Sequence, residues 1–212
     1  MPNKTVIPFV KKPSEDYQIP PEALEINIKC NNWKDSYPYS PVVKACLWHN
    51  GSHLFINYEV DEDYVAARAD HDNGDVYKDS CVEFFISFDE EGYYNLEANC
   101  IGKVLLSHRK GRKTDIVYAS PAILDGIKRI SSLGTTPFES NTPSEPWHLT
   151  LAIPTSTFFK HDIKNFRGVT AKCNLYKCGD DLPVPHFLSW QPIATENPDF
   201  HRPEFFVPIN FA

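Results

Sequence analysis

Two neighbouring stretches carry carboxylates and amides at alternate positions. In "YKDSCVEFFISF", residues 77–88, one side of an extended chain presents Cys81 and Glu83, and in "YYNLEANC", residues 93–100, one side presents Asn95, Glu97 and Asn99. A third run, "GVTAKCNLYKC" at 168–178, adds Lys172, Asn174 and Tyr176. Side chains two apart share a strand face, so the three runs make one polar shelf if they are neighbours. Carboxylates accept hydrogen bonds while amides donate and accept, a set suited to a ligand rich in hydroxyls. The shelf also offers paired acids, Glu83 and Glu97. Glycoside hydrolysis uses two carboxyls about 5–5.5 Å apart when it retains configuration and roughly 6.5–9.5 Å apart when it inverts.

Aromatic rings supply the complementary flat surface. Trp190 lies in the Pro-rich tail "GDDLPVPHFLSWQPIATENPDFHRPEFF" with His186, His201 and Arg202. This tail shows no strand pattern before Phe205, and long segments of that kind in a compact domain are commonly functional. Stacking on a ring face together with hydrogen bonds from polar tips is what a sugar needs. Lys177, at the end of the third run, joins the candidate contacts.

These residues need strands to hold them. Apolar and β-branched runs with period two recur about ten times: 25–30, 42–49, 53–60, 80–88, 93–100, 103–108, 126–132, 147–154, 168–178 and 205–211. Turn residues, Pro above all, separate them. The best helical candidate is the short "PTSTFF", with Pro154 at its first turn. The pattern predicts an all-β fold, an antiparallel β-sandwich of jelly-roll type with at most short helices, as one domain over residues 1–212. Val82, Phe84, Ile86, Phe88, Tyr94, Leu96, Ala98 and Cys100 are expected in the core, as are Val169, Ala171, Cys173 and Leu175.

Composition narrows the partners. The 212 residues carry a formal charge of -7 with a pI near 5.6, which argues against nucleic acid and anionic membranes. The basic cluster "HRKGRK" at 108–113 reads as a solvated hairpin tip. No window approaches the roughly 18 apolar residues of a membrane span, and "MPNKTVIPFVKKPSE" lacks the apolar run of a signal peptide. The expectation is a soluble chain, cytoplasmic as written and periplasmic or extracellular if a leader was removed. The cysteines at 30, 46, 81, 100, 173 and 178 form no C-x-x-C pair, so free buried thiols are expected rather than a disulfide framework or a zinc site. Sequons at Asn3 and Asn50 matter only in a glycosylating compartment. Asp70, Asp72 and Asp75 in "DHDNGD" are the nearest approach to a calcium set, without the register of an EF-hand, and read first as a solvated acidic loop. There is no G-x-S-x-G element and no Gly-rich phosphate loop.

One resemblance gathers these features. "VYKDSCVEFFISF" resembles the acidic strand motif of family 9 carbohydrate-binding modules, and "SWQPI" with "PEFFVPINF" resembles that family's late Trp loop and last strand. "YYNLEAN", "NLYKCGD", "PHFLSW" and "FHRPEFF" are similar to standalone family 9-like proteins, so the resemblance runs from about Trp33 onward. It implies a β-sandwich that grips a sugar between two rings beside a carboxylate, with calcium supporting loops. Carried over, the rings are Tyr77 and Trp190 and the carboxylate is Glu83; Tyr77 stands where the family has Trp. The implied function is non-catalytic binding of a mono- or oligosaccharide, with no cofactor required and a glycan-degrading enzyme as a conceivable partner. Two alternatives stay open: a glycoside hydrolase using Glu83 and Glu97, and a haem-binding domain of the related DOMON group. In the latter, only bis-His ligation would serve, since the single Met is Met1.

Overall fold

A computed structural model of the protein describes residues 5–11 and 17–212; the Asn3 sequon lies outside them. In chain order the strands are β1 (Thr5–Ile7), β2 (Leu24–Asn27), β3 (Val42–His49), β4 (His53–Asp61), β5 (Val65–Ala67), β6 (Cys81–Ser87), β7 (Tyr93–Asn99) and β8 (Val104–Arg109). They continue as β9 (Val117–Tyr118), β10 (Lys128–Ser131), β11 (Phe138–Asn141), β12 (Trp147–Pro154), β13 (Thr170–Cys178), β14 (Phe187–Ser189) and β15 (Val207–Phe211).

The strands build the sandwich that the alternating pattern predicts. An eight-stranded sheet runs β1-β15-β13-β6-β7-β8-β9, with β14 also paired to β13, and faces a five-stranded sheet ordered β10-β12-β4-β3-β2. A two-stranded ribbon joins β11 to β5. Pairing is antiparallel except for β1 alongside β15. Among the described residues the helical content is one short helix, α1 (Pro121–Asp125), and three-residue 3-10 turns. "PTSTFF" yields only one such turn, Thr155–Thr157, because Pro154 stays extended as the last residue of β12. Ser120 and Pro121 at the start of α1 are the start signal that marks this helix.

Between the sheets, Val82, Phe84 and Ile86 from β6 meet Leu47, Ile56, Tyr58 and Leu151 from the other layer in one core. Every residue of β6, β7 and β8 is buried, so the outer face of this sheet is covered as well. Its cover is a second cluster in which Trp33, Ile193, Phe200 and Phe206 pack on Phe85, Tyr93, Leu105 and Tyr176. Polar anchors tie the covering segment down. Trp33 Nε1 donates to Thr195 O at 2.9 Å and Asn32 Oδ1 accepts from Ile193 N at 3.0 Å. Asn174 grips Gln191 from both ends of its amide, accepting from N at 3.0 Å and donating to O at 3.2 Å.

The turn from β6 to β7 shows how tightly this layer is set. Gly92 has φ of +149°, and a Cβ there would lie 2.6 Å from Arg109 O on β8. Gly92→Ala is therefore expected to cost roughly 1–3 kcal/mol, read as a lower thermal midpoint with unchanged circular dichroism at low temperature.

Candidate functional site

The covering segment leaves one large opening over the outer face, a cleft of about 340 Å³, within the size range of small-molecule sites. Its floor comes from β6, β7, β8 and β13, whose outward parity places Glu83, Glu97, Leu105, Arg109 and Cys178 in the lining. Glu83 and Glu97 are directly paired across β6 and β7, which brings their Cβ atoms about 5 Å apart. Tyr77 stands at the rim on the 3-10 turn Val76–Lys78, just before β6. Phe187, Phe200 and His201 from the covering segment form another wall, and Tyr118, Arg112 and Lys113 come from the β8–β9 hairpin.

A hydrogen-bonded chain sets the floor. Arg109 Nε donates to Ser107 Oγ at 2.8 Å, Ser107 Oγ donates to Asn95 Oδ1, and Asn95 Nδ2 donates to Glu97 Oε1 at 2.7 Å. The guanidinium is buried and forms no ion pair among the described residues; its Nη1 donates to Arg112 O at 3.1 Å. Glu83 Oε1 accepts from Cys178 Sγ at 3.2 Å. Burial pushes the Glu97 carboxyl up to about 7. Glu83 is driven well above the usual carboxylate range, first by burial and then by Glu97 beside it. The facing acids thus keep a proton between them at neutral pH, and one carboxyl can donate while the other accepts. Asp180, at the rim, is lifted to about 6 by burial and by Asp181. His201 is neutral: burial, then Arg109 and Arg112, hold it down at about 3, and its Nδ1 lies 2.9 Å from Tyr93 OH.

Of the residues singled out in the sequence, Tyr77, Glu83, Glu97 and His201 converge here, with Asn95 holding Glu97 from behind. Trp190 does not. β14 pairs with β13 so that Phe187 faces Cys178 and Leu188 faces Lys177, and alternation then sends Phe187 into the cleft and Trp190 toward the main core. Lys177 is displaced for the same reason, since it follows Leu175 on the inner face of β13. There it is fully buried, 2.8 Å from Glu62 Oε2 and 2.8 Å from His186 Nε2. His186 is likewise buried, its Nδ1 directed at Val184 O. Tyr176 lies beneath the lining, stacked on Phe200 at 4.3 Å between centroids. Asn99 ties down Lys103 N at 2.8 Å and Asp79 Oδ2 at 3.0 Å, and Asn174 anchors the covering segment. Arg202 pairs at the surface with Glu204.

Among the described residues the three aspartates are not brought together as a metal-ligand group. Asp72 Oδ1 takes Arg129 Nη1 at 2.7 Å and also Val104 N, Asp70 meets His71, and Asp75 meets Lys78. Each carboxylate already serves a different partner. Asp75 instead reaches the cleft rim.

Sequence reasoning missed Phe187, Phe200, Arg109, Arg112, Lys113 and Asp180. For Arg109 the signal was the parity of β8. "HRKGRK" turns the expected solvated hairpin tip, with Gly111 bridged to Thr114; Arg112 and Lys113 are exposed there and also reach the cleft rim.

Comparison with known proteins places this fold. A protein from Bacteroides uniformis, described as a candidate carbohydrate-binding protein, matches with a TM-score of 0.88 and 38% identity over 98% of this chain and 99% of its own. Family 9 modules from Caldicellulosiruptor kristjanssonii share the fold: one in complex with cellotriose has a TM-score of 0.59 at 12% identity over 98% of this chain and 93% of its own. Another, in complex with glucose, has a TM-score of 0.60 at 14% identity over 99% of this chain and 95% of its own. No curated protein matches significantly. The model of the family described as Carbohydrate-binding family 9 matches residues 20–211, nearly the whole sandwich with its covering segment, and the chain belongs to that family.

Proposed function

We propose that the cleft binds the end of a saccharide without transforming it, with a sugar ring held between Tyr77 and the wall of Phe187 and Phe200. The observation that supports this best is the arrangement of the lining, in which apolar rings flank a floor of carboxyls and a guanidinium. Ring C–H faces suit the aromatics, and hydroxyls suit Glu83, Glu97 and Arg109. A protonated carboxyl beside an accepting one can bond a hydroxyl as both donor and acceptor. Affinities in the micromolar to millimolar range, roughly −4 to −8 kcal/mol, are expected. Glucose and cellotriose, which the Caldicellulosiruptor modules hold, are the first sugars to test.

The same facing acids favour a second reading, glycoside hydrolysis, because they are juxtaposed and share a proton. One calorimetric titration with mono- and oligosaccharides, followed by chromatography of the recovered sugar, addresses both. Trp33 lies 6.0 Å from Phe200 and 6.4 Å from Phe187, ring centre to ring centre, so its fluorescence should report occupancy. Tyr77→Ala is expected to weaken binding by about 1–2 kcal/mol, roughly 5- to 30-fold, while Trp190→Phe leaves affinity near wild type. Equal affinity for wild type and Tyr77→Ala would remove the cleft as the site. Shortened sugar chains that disappear with Glu83→Gln would establish hydrolysis instead.

A further inference from the structure

We propose that Cys81, Glu83 and Cys178 form a binding site for a thiophilic divalent cation of the zinc class at the base of the cleft. Sheet register brings the three together. Cys81 and Cys178 face each other across β6 and β13, so both side chains leave the same face, and Glu83 follows two residues after Cys81. One donor atom from each lies within 4.8 Å of the others, and no other such group of His, Cys, Asp and Glu occurs among the described residues. Both cysteines are free thiols.

The donor set decides which cation fits. Calcium and magnesium require oxygen ligands, whereas two thiolates with one carboxylate match zinc or cadmium. A tetrahedral zinc with Zn–S near 2.3 Å sets its sulfurs about 3.8 Å apart, and the present donors, within 4.8 Å of one another, reach that spacing by small χ1 rotations at most. Glu83 and Cys178 line the cleft, which leaves the fourth position facing it, open to water or to an oxygen of a bound molecule. Asp180, whose carboxyl lies beside Cys178, is the nearest protein candidate for that place.

Binding is an exchange of protons for metal. The two thiols release their protons, as does the carboxyl where it holds one, and no electrons move. Two thiolates and a carboxylate leave one negative charge on a divalent ion, and the Arg109 cation acts on Glu83 from β8. A buried, water-poor floor strengthens such bonds. The site does not depend on the saccharide reading, although a cation held by Glu83 would compete with, or bridge to, any ligand that uses the same carboxyl.

The test uses the whole chain, reduced and stripped of metal, titrated with Cd²⁺ for its thiolate charge-transfer absorbance and with Zn²⁺ against a chromophoric chelator. One ion per chain is expected. Cys81→Ser and Cys178→Ser should each abolish the absorbance band and weaken Zn²⁺ at least roughly 100-fold, and Glu83→Gln should weaken it roughly tenfold while keeping the band. Cys46→Ser, remote from the cleft, should change neither. Thermal melts verify folding, and Cys81→Ala substitutes where the serine variant does not fold. The proposal is overturned by the absence of a stoichiometric band, by a band that survives in the Cys81→Ser/Cys178→Ser double variant, or by a Cys81–Cys178 disulfide in the isolated protein.

Discussion

Lys177→Ala is expected to destabilise the protein by about 3–5 kcal/mol at neutral pH, because it strands a buried carboxylate. Lys177 and Glu62 are both fully buried at their side chains, with Nζ 2.8 Å from Oε2; this is an ion pair rather than an aligned hydrogen bond. Trp147 Nε1 donates to Glu62 Oε1 at 2.8 Å, and Lys177 Nζ also reaches His186 Nε2. The cluster thus ties the ends of β4 and β12 in one sheet to β13 in the other. Burial alone would push the Glu62 carboxyl up, but Lys177 and His186 outweigh it and hold it down at about 2. A depressed carboxyl contributes stability that is complete above its unfolded value and lost as pH falls toward 2. Without Lys177 the sign reverses: Glu62 rises above its unfolded value, and the penalty grows with pH. Urea unfolding near pH 7.5 should show the full loss, equivalent to a drop of roughly 6–20 °C in thermal midpoint, and near pH 4 a smaller one. Lys177→Met combined with Glu62→Gln should recover most of the stability, since it removes both buried charges while Gln keeps an acceptor for Trp147 Nε1. An equal loss at both pH values would mean that Lys177 acts through packing and not charge.

Glu97→Gln should have opposite effects on stability and on ligand binding. Its carboxyl is raised to about 7, so between pH 4.5 and 7 the folded state keeps a proton that the unfolded chain gives up, and stability falls over that window. The full penalty, present above pH 7, is of order 3 kcal/mol. Gln keeps the bond from Asn95 Nδ2 but does not ionise, so the variant should gain up to about that amount near pH 8 and almost nothing near pH 4. Saccharide affinity should fall at the same time, by roughly 10- to 100-fold, because a carboxyl that can switch between donor and acceptor is replaced by a fixed amide. Wild-type affinity should itself depend on pH and change most near 7, where the Glu83–Glu97 pair passes from two protons to one. A variant that binds as tightly as wild type with no gain in stability would show that the pair is neither strained nor used. The expected trade is the usual one at binding sites, where groups are held in environments that cost folding energy.

Much of this was legible in the residues. Period-two alternation in 80–88, 93–100 and 168–178 assigned inner and outer faces correctly, and Glu83 and Glu97 fell on the same outward side because parity is a local property of the backbone. Tyr77, which the resemblance to the family's acidic strand motif singled out, stands at the cleft rim. Other signals were present but misread. Lys177 is of the inner parity of β13, and its charge outweighed its position; only Glu62, more than a hundred residues earlier, explains how an ammonium survives there. Trp190 was chosen for its ring, although three-residue β14 is too short and too Pro-flanked to show an alternation, and its register on β13 selects Phe187 instead.

The sequence by itself determined the all-β class, the sandwich, the core facing of the central strands and the polar character of the opposite face. All of these follow from the alternation of side chains along each strand. Tertiary structure alone decided that this opposite face would be buried, where it would stay open, and which rings, cations and thiols would meet there. Those outcomes depend on strand order and on how the 179–206 segment and the β8–β9 hairpin close over the sheet. Contacts of that kind join residues far apart in the chain, and no local period records them.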